Sequence, residues 1–247
     1  MPVAIDIVFT VWVLVASVYD HVYFWPRFRA AVAAGRPGTR VRVYLRGMSG
    51  QWLGSLGVVA IWILEARRWS ALGLTLPHGW RLAVAIAVVL AAVGFLLLQV
   101  RQVMGLAPET RVALRPSLGD VTFLMPHTAA EARWWVGVSL TAGWCEELLF
   151  RGYLVWVFAP WLGTVGAMMS VVIAFGLGHA YQGRQGVIKA TVAGAVMATI
   201  VLASGSLIPA MIAHALIDIG GGMVGYGLLR ETGSVTSAGI VGSGVTR

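Results

Sequence analysis

Residues 134–161 read WWVGVSLTAGWCEELLFRGYLVWVFAPW, an apolar stretch that holds two adjacent carboxylates, Glu146 and Glu147, and the base Arg151. The stretch is long enough for a helix to cross a bilayer, which takes about 20 residues. A charged side chain at membrane depth is costly unless it is paired or hydrated, so ionisable groups there mark function. We therefore expect a membrane-spanning helix that carries part of a functional site.

The composition is that of a membrane protein with several spans. Of the 247 residues, 58% are hydrophobic and only 11% are charged, against about 25% charged in a soluble domain. The dipeptide Ala159-Pro160 predicts a tight turn between two of the spans. The prediction is an all-α polytopic transmembrane helix bundle of about seven spans, with the active-site core formed by the last four. The predicted spans are residues 3–24, 48–64, 82–100, 134–158, 162–181, 187–203 and 207–229.

The charge distribution argues against nucleic acid as a partner and predicts an orientation. The net charge is +8, but most basic residues lie between apolar segments, where they meet the anionic headgroups of the lipid bilayer. The arginine-rich connections 26–46 and 101–133 should face the cytoplasm, which puts the carboxyl end inside. Lys189 is the single lysine, a bias typical of a GC-rich genome. We therefore expect an integral protein of a bacterial cell membrane.

The two carboxylates of the first motif are expected to do different work. Glu147 and Arg151 are four residues apart, so on a helix they share a face and can form an ion pair. Glu146 is rotated by about 100° from Glu147, which leaves it free to accept a proton or to bind a water molecule. The plainer alternative is a buried ion-pair network that only fixes helix packing.

Two later segments each carry a further polar motif. Phe175 lies one helical turn before His179 and could orient its ring, although a single histidine on an apolar face is usually a core residue. His214 and Asp218 are again four residues apart, so they could ligate a metal, donate to a developing oxyanion, or only pack. His179 lies near the cytoplasmic end of its span and His214 nearer the opposite end of its own. A common site therefore requires short, tilted or offset helices.

The three motifs, in this order, resemble those of a known family. The sequence is similar to the CPBP family, which comprises CAAX prenyl proteases and bacteriocin-processing proteins and is also called the Abi family. The resemblance divides the chain into N-terminal helices and loops (1–131), a protease domain (132–222), and the end of the last helix with the tail (223–247). It rests on Glu146-Glu147-x-x-x-Arg151, Phe175-x-x-x-His179 and His214-x-x-x-Asp218.

The resemblance implies an intramembrane endopeptidase that hydrolyses a peptide or protein substrate, which can itself be membrane-associated. Glu146 and His179 would activate the attacking water, while the last motif would polarise the scissile carbonyl. Bacteria usually lack prenylated CAAX proteins, so a prenyl substrate is not expected from a bacterial source. The catalytic residues would be Glu146, His179, His214 and Asp218, supported by Glu147, Arg151 and Phe175.

A metal cofactor is a separate question. Members of the family are often labelled metalloproteases, and a divalent ion such as zinc, if present, would be held by Glu146, His179 and His214. The glutamate–histidine mechanism needs no metal, however, and the sequence lacks the His-Glu-x-x-His zinc signature.

One residue departs from the family pattern. Prenyl endopeptidases of the family typically carry Asn where this chain has Asp218, and an amide can donate to an oxyanion whereas an ionised carboxylate cannot. Asp218 could instead orient His214 as a charged donor, or favour a metal.

Two other functions stay open on the sequence alone. The chain could be a catalytically silent membrane scaffold or immunity-type protein of the same fold, or an ion or proton carrier that uses Glu146, His179 and Asp218 as a relay.

Overall fold

The computed structural model describes residues 1–230, and this range is folded into helices joined by short turns. Two π-helical turns, Asp20–Phe24 and Leu148–Leu154, continue one helix into the next. The predicted tail beyond residue 230 lies outside the described residues. The helices are α1 (Ala4–Tyr19), α2 (Trp25–Ala33), α3 (Thr39–Leu64), α4 (Trp80–Met104), α5 (Pro108–Leu114), α6 (Ala129–Glu147), α7 (Val155–Gly178), α8 (Gly183–Ser204) and α9 (Ile208–Leu229).

Six helical stretches within residues 1–230 are long and apolar enough to cross a membrane. The stretch Ala129–Gly178 has 50 residues, about 75 Å of helix, which is more than one crossing needs. It bends back at Gly163, where φ is +67°, and this brings the rings of Phe150 and Phe175 to 5.1 Å from each other. The described residues therefore form seven crossings, and the prediction of a polytopic helix bundle is confirmed.

The bend lies three residues later than the sequence suggested. Pro160 is contained within α7, and the reversal occurs at Gly163 because glycine tolerates the left-handed φ that it requires. The leg after the bend, residues 164–178, is therefore short, about 22 Å. Glu147 and His179 lie equally far along the chain from Gly163, so the two legs carry them to similar depth. Because His214 contacts Glu147, the short leg also brings His179 to a depth similar to that of His214.

Helix α9 lies between α6 and α4, with α8 also against it, and α3 packs along α6. The contact between α6 and α9 is close at Gly143, where an added Cβ would lie only 2.6 Å from the carbonyl oxygen of Met211. The amino end of α6 is fixed by a capping box, in which Thr128 accepts from the Glu131 backbone. The close contact brings the helix of Glu146 against the helix of His214.

Arginine-rich connections meet at one end of the bundle. Arg40, at the start of α3, pairs with Glu131 at 3.6 Å, and Arg29 of α2 donates to the carbonyl oxygen of Tyr181. The segments that the sequence assigned to one side of the membrane thus lie at the same end of the structure. That this end faces the cytoplasm stays a prediction.

The opposite end is held by a buried ion pair. Asp6 is fully buried and accepts from Arg67 through both carboxylate oxygens, each at 2.7 Å. Tyr153, in the π-helical turn after α6, donates to the same carboxylate at 3.1 Å. The first helix therefore anchors the turn that follows Glu147.

Candidate active site

The three motifs meet at one cavity of about 520 Å³. All four residues predicted to be catalytic line it, namely Glu146, His179, His214 and Asp218. Phe175 lines it as well, and its ring contacts both imidazoles, with centroids 4.7 Å from His179 and 6.0 Å from His214. The structure thus brings together acid, imidazole and aromatic groups from α6, α7 and α9.

One carboxylate oxygen of Glu146 accepts a hydrogen bond, and the other is buried without a partner among the described residues. Gln51 of α3 donates from Nε2 to Glu146 Oε1 at 2.6 Å. Oε2 accepts no hydrogen bond from the described residues and lies 3.8 Å from His214 Nε2. A water molecule hydrogen-bonded to both atoms, at about 2.8 Å from each, would supply the partner that Oε2 lacks.

Glu147 connects the first motif to the third through one oxygen. Its Oε1 accepts from Arg151 Nη1 at 2.9 Å and from His214 Nδ1 at 2.8 Å. The side chains of Glu147 and Arg151 are completely buried, so each charge depends on the other for compensation. Because His214 Nδ1 is engaged by Glu147, Nε2 is the ring nitrogen that lies near Glu146 and Asp218.

Asp218 lies beside Nε2 of His214 rather than beside Nδ1. Its Oδ2 is 3.6 Å from Nε2, which is longer than a hydrogen bond, and its side chain is 39% exposed. Trp135 Nε1 donates to the backbone carbonyl of Asp218 at 2.9 Å and fixes this turn of α9 against α6. The sequence suggested that Asp218 orients His214, but the structure gives the hydrogen bond at Nδ1 to Glu147.

His179 directly follows the last residue of α7, and one of its nitrogens is fixed by the backbone. Nδ1 lies 2.8 Å from the carbonyl oxygen of Phe175. Since a carbonyl only accepts, Nδ1 carries the hydrogen, and in a neutral ring Nε2 can accept a proton. Among the described histidines only His214 comes within 4.0 Å of the Glu146 carboxylate, so the His179 ring nitrogens lie more than 4.0 Å from it.

The residues do not fit a metal centre. Within residues 1–230, no group of three or more His, Cys, Asp or Glu side chains is arranged to hold a metal ion. The Nδ1 atoms of His179 and His214 are both engaged, one with a backbone carbonyl and one with Glu147. These contacts leave the two Nε2 atoms free, but the suggested ligands Glu146, His179 and His214 do not form such a group within the described range.

Several polar or aromatic residues of the cavity were missed from the sequence, Gln51, Gln99 and Trp25 among them. Gln51 and Gln99 are amides inside the apolar helices α3 and α4, and a polar group in a span is itself a signal of function. Trp25 stacks on Tyr181 with ring centroids 3.8 Å apart. No pattern in the sequence distinguished Trp25 from the tryptophans expected at the membrane interface.

One family model matches the chain. It is described as Type II CAAX prenyl endopeptidase Rce1-like, and it covers residues 128–220, the range that contains all three motifs. Comparison with curated proteins and with solved structures gave no match. The resemblance to the CPBP family is thus confirmed over these residues, while its Abi part has no further support.

Proposed function

We propose, from the premise that residues 128–220 belong to the CPBP family of intramembrane proteases, that the chain is a membrane endopeptidase whose nucleophile is water activated by Glu146. The observation that carries the proposal is the buried Oε2 atom of Glu146, which has no hydrogen-bond partner among the described residues and lies 3.8 Å from His214 Nε2, beside the cavity that Glu146, His179 and His214 all line. The substrate is a peptide segment of a protein that reaches the cavity at the membrane.

Glu146 and His179 supply the acid–base chemistry. Glu146 Oε2 takes a proton from water as the water oxygen bonds to the carbonyl carbon of the scissile peptide. His179 Nε2 is available to accept or return a proton, because Nδ1 is fixed on the Phe175 carbonyl. The leaving nitrogen takes up a proton as the C–N bond breaks, so the products are a carboxylate and an amine.

In the proposed reaction His214 stabilises the negative oxygen that forms on the substrate. With Nδ1 donating to Glu147, a ring that carries hydrogen on both nitrogens directs an Nε2–H group towards the cavity. Preorganised donors of this kind contribute about 3 kcal/mol to transition-state stabilisation. Glu147 and Asp218 lie on opposite sides of the ring and compensate its positive charge.

The proposal is tested by cleavage of internally quenched peptides in proteoliposomes, using a peptide library and one peptide with and without a farnesyl group. Glu146→Gln and His179→Gln should each lower kcat/KM by about 100-fold or more, while the apparent Tm stays near that of the wild type. Glu109→Gln, on the exposed surface of α5, is the matched control. Full activity in either cavity variant would contradict the proposal.

A second measurement separates direct attack by water from an acyl-enzyme route. In the presence of hydroxylamine, direct attack yields only the peptide carboxylate, whereas an acyl-enzyme yields a hydroxamate as well. We expect no hydroxamate. Its formation would point to a protein nucleophile such as Cys145, and a wild type that binds the peptides without cleaving them would favour the scaffold.

A further inference from the structure

A second cavity, of about 750 Å³, opens at the arginine-rich end of the bundle. It lies where the start of α6, the end of α9 and the segment of α5 come together. It shares no lining residue with the first cavity, and no Asp or Glu among residues 1–230 lines it. Its polar lining is Arg111, Arg115, His127, Thr128, Tyr226 and Arg230.

The three guanidinium groups are held in place and still have donors to spare. Arg111 donates to two backbone carbonyls at the end of α4. Arg115 donates from Nε to the carbonyl of Leu228 at 2.8 Å, and Arg230 lies over the ring of Tyr226, 5.9 Å from its centroid. Each guanidinium has five N–H donors, so these contacts position the groups without using them up.

Among the described residues, the carboxylate of Glu131 lies beside the cavity but does not line it, and it is engaged by other groups. Glu131 already pairs with Arg40 at 3.6 Å and accepts from the backbone N–H groups of His127 and Thr128. The imidazole in the lining responds to the same environment. Burial, with Arg40 and Arg115 nearby, lowers the pKa of His127 below its ordinary value.

We propose that this second cavity binds a phosphate group, either in the headgroup of an anionic phospholipid or as free phosphate. Guanidinium groups form bidentate, charge-assisted hydrogen bonds with phosphate oxygens. Basic pockets between transmembrane helices are places where anionic headgroups bind. The proposal is independent of the peptidase chemistry.

Binding is measured as the rise in apparent Tm of the purified full-length protein in detergent. The probes are phosphatidylglycerol, phosphatidylcholine as the zwitterionic control, and sodium phosphate against sodium chloride at equal ionic strength. Arg111→Gln and Arg230→Gln should each raise the ligand concentration that gives half of the Tm rise by about tenfold, since each removes a charged donor. Arg133→Gln, exposed on α6 at the same end but outside the cavity, should leave it unchanged.

A response to phosphatidylglycerol that is weakened only in the two cavity variants supports a lipid site. The same pattern with sodium phosphate supports a site for free phosphate. No response to either ligand, an equal response to phosphatidylcholine, or an equal loss in Arg133→Gln would overturn the proposal. Since Arg111 also caps α4, Arg230→Gln keeps the test decisive if Arg111→Gln does not fold.

Discussion

Replacing Gly143 by alanine tests whether the site depends on the close contact of α6 with α9. The added Cβ would lie 2.6 Å from the carbonyl oxygen of Met211 and 2.8 Å from the backbone nitrogen of Ala215. Ordinary contacts of a Cβ begin at 3.4 Å, so the two helices must separate locally by about 0.8 Å. Met211 and Ala215 lie on either side of His214 in the sequence of α9, so the separation of the helices also moves His214.

The same displacement acts on the hydrogen bond between His214 and Glu147. Its length of 2.8 Å would grow to about 3.6 Å, which is no longer a hydrogen bond. A misplacement of about 1 Å in an active site can lower the rate about 100-fold. We therefore expect kcat/KM of Gly143→Ala to fall about 100-fold, together with a loss of about 1–3 kcal/mol in the free energy of unfolding.

The assay is cleavage of the quenched peptides in proteoliposomes. Gly137→Ala, on the same helix, is the matched control because its Cβ would meet only the flexible side chain of Met48, at 3.5 Å. The control should cleave at close to the wild-type rate. If folded Gly143→Ala also cleaves at the wild-type rate, the reasoning that this helix contact sets the geometry of the site is refuted.

Three further substitutions test other contacts. Gln51→Leu removes the hydrogen bond of 2.6 Å to Glu146 and should lower kcat/KM about tenfold in the peptide assay, the usual effect of losing a bond to a charged group. Asp218→Asn removes a carboxylate that compensates His214 but adds an amide that can itself donate to an oxyanion, so it should cleave at close to the wild-type rate; inactivity in the same assay would show that the carboxylate is needed. Asp6→Ala leaves Arg67 without its buried partner and should lower the free energy of unfolding by about 3 kcal/mol in denaturant titrations in mixed micelles.

The chain offers controls for these variants. Gln102→Leu removes an exposed amide near the end of α4 and should leave cleavage unchanged. Asp20→Ala breaks an exposed ion pair with Arg46, whose side chains are 41% and 46% exposed, and should cost less than about 1 kcal/mol. An Asp6→Ala protein as stable as Asp20→Ala would contradict the role given to the buried pair.

Local spacing was enough to predict the pairing of Glu147 with Arg151, because two residues four apart share a helix face whatever the rest of the fold does. The number of crossings likewise follows from the lengths of the apolar segments. The bond from His214 to Glu147 joins residues 67 apart in the chain. It depends on how closely α6 packs on α9, which no local pattern encodes, and the contact of Gln51 with Glu146 was missed for the same reason.

The depth of His179 in the membrane also could not be predicted from the sequence. A proline predicted the turn at Ala159-Pro160, but Pro160 lies inside α7 with helical residues on both sides, and the reversal occurs at Gly163. Moving a reversal by three residues lengthens one leg and shortens the other, which changes their relative register by about 9 Å. A change in register of that size decides whether His179 lines the same cavity as Glu146 or lies apart from it.

The short leg of α7 also affects how water reaches the site. At about 22 Å it falls well short of the hydrocarbon thickness of about 30 Å, and a bilayer adapts to such hydrophobic mismatch by thinning beside the helix. The headgroup region then comes several ångströms closer to His179 at the end of that leg. In the proposed hydrolysis water is the second substrate, so the length of this one helix would help to set its supply.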